Sequence, residues 1–323
     1  MSVESNTSND SFEGAVKENL KDKKKISDTS CGVYLRNLRK LNGGKSFENF
    51  DFLKEVEEVI KQLENFKETT KRNYLISIVS ILGLYPDFKE THDKYHQLMM
   101  QKKEEIEKKS EDITQTQQDN WINWQEVKDQ LKLLEEKVQV FYKKKQITDD
   151  DFLILLSYLI LSLYVLIPPR RNKDYSLMHV VQNFTPELST EFNYYDLTKK
   201  KFIFNNYKTC KKYGRYDLPV PKPLQTVINK YLKHRSAKFA LDDQDNKPFL
   251  IRPDASPLDK SNCITKVLNK VFGKSIGSSM LRHIFLSDKY LATFKASKLD
   301  AEQMAHSPAE QKKYIKEKLT VTV

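Results

Sequence analysis

Arg282, His306 and Tyr314 follow one another toward the end of a 323-residue chain, with the tyrosine 32 residues after the arginine. A guanidinium presents a rigid fork of N–H donors that matches phosphate oxygens. A phenol has an ordinary pKa near 10, so it becomes a nucleophile only where cations favour the phenolate. Arginine and tyrosine together suit attack on a phosphodiester. Such chemistry without a metal needs fixed cations around the phosphorus and a nucleophile that can leave again. Two further cationic sites lie upstream. Arg170 and Arg171 follow the Pro168-Pro169 break, and Lys208 sits in a lysine-rich turn with Lys211 and Lys212.

These side chains lie in the basic part of the chain. Residues 1–120 carry a net charge of −2 and residues 121–323 a net charge of +13. An excess of Lys and Arg binds polyanions by displacing counterions from phosphates. Cys31, Cys210 and Cys263 are odd in number and lack CxxC or His spacing, which supports neither a disulfide framework nor a zinc site and suits a reducing compartment. No GxxxxGK[ST] or GxGxxG pattern occurs, so no nucleotide cofactor is expected. The polar N-terminus carries no secretory signal. The longest apolar stretch, Phe152 to Ile167, is shorter than the roughly 20 residues of a membrane span and reads as a buried core helix.

Residues 1–28 are polar and are expected to form a mobile tail. Helical periodicity begins at Val33 and continues through Leu63, and a third helix runs from Thr69 or Thr70 to Gly83. The expected divisions are a tail over 1–28, a helical domain over 29–98, a charged linker or helix over 99–120, and a second domain over 121–323. Within the second domain Thr148 caps the buried helix. Strands are expected at 193–195, 201–204 and 216–220, with helices near 224–234, 259–272, 278–290, 299–305 and 309–318. The fold class is mainly α with a small antiparallel sheet (α+β).

The stretches IPPRRNKDY, KVFGKSIGSSMLRHIFLSDKY and MAHSPAEQKKYIK resemble the catalytic domain of the tyrosine recombinase (phage integrase) family over residues 121–323. The wording is most similar to recombinases of large DNA viruses, virophages and related mobile elements. The N-terminal helical unit resembles that family's core-binding domain in layout alone. The resemblance implies cleavage and rejoining of double-stranded DNA through a 3′-phosphotyrosine, with no cofactor and no metal. It implies Tyr314 as nucleophile, Arg171, Arg282 and His306 on the phosphate, and Lys208 as the acid for the leaving 5′ oxygen. Arg171 with Asp174 fits the family's arginine-then-acid spacing better than Arg170 with Lys173, and the register between the two arginines stays open. Lys211 and Lys212 are alternatives to Lys208 or backbone contacts. Ser279 stands where the family carries histidine, and serine cannot take up a proton near neutral pH. His283 is expected to buttress Arg282, and Tyr290 to pack in the core. Arg36, Lys40, Lys71 and Arg72 are candidate phosphate contacts of the first domain. The implied assembly is a homo-tetramer on two DNA sites with exchanged C-terminal segments, without a membrane. The implied place is intracellular, at DNA: a host nucleus or a viral factory for a viral chain. A type IB topoisomerase and a catalytically impaired DNA-binding relative are the other readings.

Overall fold

The computed structural model describes residues 11–109, 113–236 and 247–316. The chain divides into two compact units, Met1–Ile113 and Thr114–Val323.

The first unit is helical: α1 (Phe12–Lys24), α2 (Asp28–Leu41), α3 (Val56–Leu63), α4 (Glu68–Leu82) and α5 (Lys89–Lys109). Its core joins Val16 and Leu20 of α1 to Leu35, Leu38, Leu53, Ile78, Ile81 and Tyr95. The polar stretch expected as a tail therefore holds a packed helix from residue 12, while residues 1–10 lie outside the described residues. Phe12, Val16 and Leu20 recur at one-turn spacing, a stripe narrow enough to be lost among charges yet wide enough to lie on a core. Ser11 starts α1 by accepting the Gly14 N–H at 3.2 Å, and Ser27 starts α2 by accepting that of Ser30 at 3.3 Å. The expected linker is also redrawn. Residues 99–109 continue α5, whose Leu98 and Met99 pack against this core, and α6 (Gln115–Asn120) belongs to the second unit.

The second unit adds α7 (Trp124–Gln139), α8 (Asp149–Val165), α9 (Asn172–Ser176), β1 (Met178–Val181), β2 (Asn193–Asp196), β3 (Lys201–Phe204), α10 (Cys210–Tyr213), β4 (Tyr216–Pro219), α11 (Lys222–Ser236), β5 (Lys247–Pro248), α12 (Ser261–Phe272), α13 (Ser278–Gln303) and α14 (Pro308–Tyr314). Helix α8 is the axis of the unit: Leu155, Leu159, Ile160, Leu161 and Leu163 are fully buried, with α7, α11 and α12 around it. Each such leucine or isoleucine contributes about 1.5–3 kcal/mol on burial. The Thr148 cap is present as a reciprocal capping box with Asp151.

The sheet differs from expectation. It has five strands in the order β4-β3-β2-β1-β5 and is mixed, because β1 pairs parallel to β2 while the other pairs are antiparallel. Its inner face (Val180, Tyr195, Phe202, Phe204) joins the main core. Its outer face (Val181, Tyr194, Ile203) is covered by Phe184, Leu188 and Phe192 from the β1–β2 connection. The two expected helices at 278–290 and 299–305 are one continuous helix, α13. Among the described residues no helix is long and apolar enough to cross a membrane.

Candidate active site

The chain leaves α8 through Pro168-Pro169 and turns into α9 with Arg171 as the N-cap residue, at φ −78° and ψ 148°. The turn is anchored by Asn172. Its Oδ1 accepts the Tyr164 hydroxyl at 2.6 Å, and its Nδ2 donates to the Ser261 carbonyl and to Thr265 Oγ1, each at 2.8 Å. The two adjacent arginines have different duties. Arg170 Nε donates to Asp174 Oδ2 at 2.9 Å, and its guanidinium lies 3.7 Å from the Phe204 ring centroid. The Arg171 carbonyl accepts the Asp174 N–H at 3.0 Å, but the Arg171 side chain makes no hydrogen bond or ion pair with the described residues and stays half-buried. Among the described residues Arg170 is thus held by the protein, and the Arg171 guanidinium is not.

Arg282 enters from the second turn of α13. That helix starts at Gly277, where an added Cβ would come within 3.3 Å of Thr265 Cγ2, so glycine lets α13 start hard against α12. Arg282 Nη2 donates to Ser279 Oγ at 2.9 Å and Nε to the Ser278 carbonyl at 3.2 Å. Burial and then the charge of Arg171 lower its pKa from the ordinary arginine value, while Tyr164 and Asp174 oppose them. It remains a cation at neutral pH. Burial raises the Asp174 pKa, against the pull of Arg170 and Arg171, and Asp174 Oδ1 is buried without a hydrogen-bond partner. Arg170, Arg171 and Arg282 therefore gather around one buried carboxylate, with more positive than negative charge. Such a site favours an anion.

Lys208 projects from the β3–β4 hairpin, whose register pairs Phe204 with Tyr216. The turn is closed by the Tyr207 hydroxyl, which donates to the Gly214 carbonyl at 2.7 Å. Asn193, fully buried at the start of β2, ties this hairpin to the arginine turn. Its Oδ1 accepts the N–H of Asn205 at 2.9 Å and of Asn206 at 2.8 Å, while its Nδ2 donates to the Asp174 carbonyl at 2.8 Å. Lys173 Nζ adds a second tie to Asn206 Oδ1 at 3.0 Å. Lys208 is exposed and makes no hydrogen bond or ion pair with the described residues. Asn193 and the structural role of Arg170 were missed in the sequence. The first reads as an ordinary strand-start asparagine, and the second as half of a surface pair.

His306 and Tyr314 form a separate pair. Ala305 takes a left-handed φ of 57°, the His306 N–H donates to the Ala301 carbonyl at 2.8 Å, and Ser307 caps α14 by accepting the Glu310 N–H at 3.1 Å. The chain reverses, and Ser297 Oγ donates to Gln311 Oε1 at 2.9 Å. The two rings stack with centroids 5.2 Å apart and an interplanar angle of 14°. Tyr314 is 65% exposed, and His306 Nδ1 is buried without a partner. At 1.5 Å rise per residue, Ser297 lies about 22 Å and Gln303 about 31 Å along α13 from Arg282. The histidine and tyrosine therefore stand apart from the arginines within this chain.

The remaining expectations divide. Arg36 and Lys40 are exposed on α2, and Lys211 and Lys212 on α10. Lys71 is engaged with Glu68 at 2.8 Å, and Arg72 is half-buried with Nε lacking a partner. His283 is exposed, and it is Ser279 that holds Arg282, because i and i+3 share a helix face while adjacent residues do not. Tyr290 is 48% exposed and not in the core, since α13 has left the body of the unit by that point. No protein-family model, curated protein or solved structure matches this chain.

Proposed function

We propose that the chain is a tyrosine-type site-specific DNA recombinase that cuts and rejoins duplex DNA through a 3′-phosphotyrosine. The observation that carries this reading is the Arg171–Arg282 pair, gathered at one buried acid and tied through Asn193 to the hairpin of Lys208. In the proposed step the Tyr314 oxygen forms a bond to phosphorus while the P–O5′ bond breaks. The phenolic proton passes to solvent, and the Lys208 ammonium gives a proton to O5′. Arg171 and Arg282 hold the non-bridging oxygens as charge builds on them, with His306 as a further donor once it arrives. The phosphotyrosine keeps the energy of the broken bond, so rejoining needs no ATP.

The projecting half of α13 favours a multi-subunit recombinase over a topoisomerase acting as a monomer. Leu286, Tyr290 and Phe294 follow one another at four-residue steps along it with Leu291 beside them, all exposed, and an apolar stripe of this kind asks for a protein partner. Delivery of Tyr314 to the arginines of another copy accounts for both the stripe and the separation from Arg282. This matches the homo-tetramer on two DNA sites that the family resemblance implies.

Trapping on a nicked suicide duplex tests the reading. Wild-type protein is expected to give a denaturation-stable protein–DNA adduct. Tyr314→Phe should give none while binding DNA within a few-fold of wild type, because only the attacking oxygen is lost. An adduct that persists in Tyr314→Phe moves the nucleophile elsewhere, and absence of any adduct from wild type leaves a DNA-binding protein.

A further inference from the structure

Arg170 is enclosed to a degree that an ion pair with Asp174 does not require. Its guanidinium carbon lies 3.7 Å from the centroid of Phe204, 5.5 Å from that of Tyr216 and 5.6 Å from that of Tyr207. Phe204 and Tyr216 are the facing residues at the turn end of the β3–β4 pairing, and Tyr207 is the residue immediately before Lys208. The side chain of Arg170 is 19% exposed, and that of Asp174 is 4% exposed. A flat cation desolvated between aromatic faces and a buried carboxylate is a strong and directional contact. It grips all three aromatic residues around the base of the Lys208 turn, and its other end holds the acid beside Arg171 and Arg282. Among the described residues the Lys208 side chain has no bond that fixes its place. The distance from its ammonium to the arginine pair is set by the base of the hairpin, where the Arg170 stack works beside the Asn193 and Lys173 ties to Asn205 and Asn206.

We propose that Arg170 is a positioning residue that clamps the Lys208 hairpin to the Arg171–Asp174 turn, so that the lysine ammonium is delivered to the departing oxygen of a phosphate held by Arg171 and Arg282. The proposal rests on the DNA-cleaving reading above. It assigns Arg170 no contact with DNA. A small displacement of a catalytic group is enough to cost on the order of 100-fold in rate.

The two links can be separated by the leaving group. In a duplex whose scissile phosphate carries sulfur in place of the bridging 5′ oxygen, the P–S bond breaks as the bond from Tyr314 forms. The thiolate leaves with its electron pair and needs no proton, since a thiol has a pKa of about 8.5. On the ordinary oxygen substrate, Arg170→Met in the full chain is expected to form adduct about 10- to 100-fold more slowly than wild type, as is Lys208→Ala. On the sulfur substrate both variants should return to within a few-fold of wild type. Arg170→Lys keeps the charge toward Asp174 but loses the flat stack, and should show the same pattern with a smaller loss. It also serves if Arg170→Met does not fold. Equal loss on both substrates would overturn the proposal, as that places the defect at Arg171 and Arg282. A normal rate on the oxygen substrate would overturn it as well. If wild type forms no adduct on either substrate, the cleavage reading fails. The clamp is then judged by hydrogen exchange: faster exchange of residues 205–216 in Arg170→Met upholds it, and unchanged exchange removes it.

Discussion

Ser279 and Arg282 lie one turn apart on α13 and are joined by a hydrogen bond. As a proton acceptor the serine is a poor stand-in for histidine, yet its hydroxyl accepts from Arg282 Nη2 at 2.9 Å. Its role is to aim the guanidinium. Removing Ser279 by alanine therefore deletes one neutral-acceptor bond, of about 0.5–1.5 kcal/mol net, and should slow cleavage roughly tenfold or less. Arg282→Ala removes charge where charge develops, and should cost on the order of 10²- to 10³-fold. Single-turnover cleavage of a suicide duplex compares the two. Equal losses would give the serine a larger part than aiming. The arginines and Tyr314 could be singled out in the sequence because their order and spacing are peculiar. The division of labour between Arg170 and Arg171 could not be, because it depends on Phe204, which is distant in sequence and meets Arg170 only through the fold.

At the scale of elements, long helices with an apolar face and the strands β2, β3 and β4 were legible, and β1 and β5 were not. Strand β1 (MHVV) is four residues long, too short for its period to separate strand from helix. Its parallel pairing with β2 runs through a connection without a helix of its own, whereas parallel neighbours usually need a helical crossover. The β3–β4 hairpin was legible from its alternation, and it carries its own acid sensitivity. Asp217 accepts Arg215 Nε at 2.7 Å and Lys201 Nζ at 2.5 Å, and hydrogen bonding led by Arg215 pulls its pKa from 3.8 to about 2. A depressed carboxylate pKa stabilises the folded form above the unfolded value and loses that contribution as pH falls through the folded one. The hairpin should therefore loosen between about pH 4 and pH 2, read as faster amide exchange of residues 201–219. Asp217→Asn should loosen it at neutral pH and flatten the acid response. An unchanged acid profile in that variant would assign the sensitivity to another group.

For the whole molecule, the decisive feature is that Arg282 lies near the start of α13 while Tyr314 lies on α14, which packs against the far half of α13. If Tyr314 acts on another copy, a mixture of Tyr314→Phe and Arg282→Ala proteins should regain adduct formation that neither has alone, with the adduct on the Arg282→Ala chain. Mass spectrometry of the trapped complex identifies that chain. No regain on mixing would require the arm to fold back within one subunit. The arm also has a mechanical consequence. A helix is a rod with a phase: each residue added between Tyr290 and Lys295 turns everything beyond it by about 100° and advances it 1.5 Å. One inserted alanine would turn Tyr314 to another direction while leaving every side chain in the sequence. Seven, close to two full turns, would nearly restore the direction and lengthen the reach by about 10 Å. If Tyr314 acts on another copy, the length of the arm in residues matters as much as the side chains along it, as on a ruler cut to one spacing.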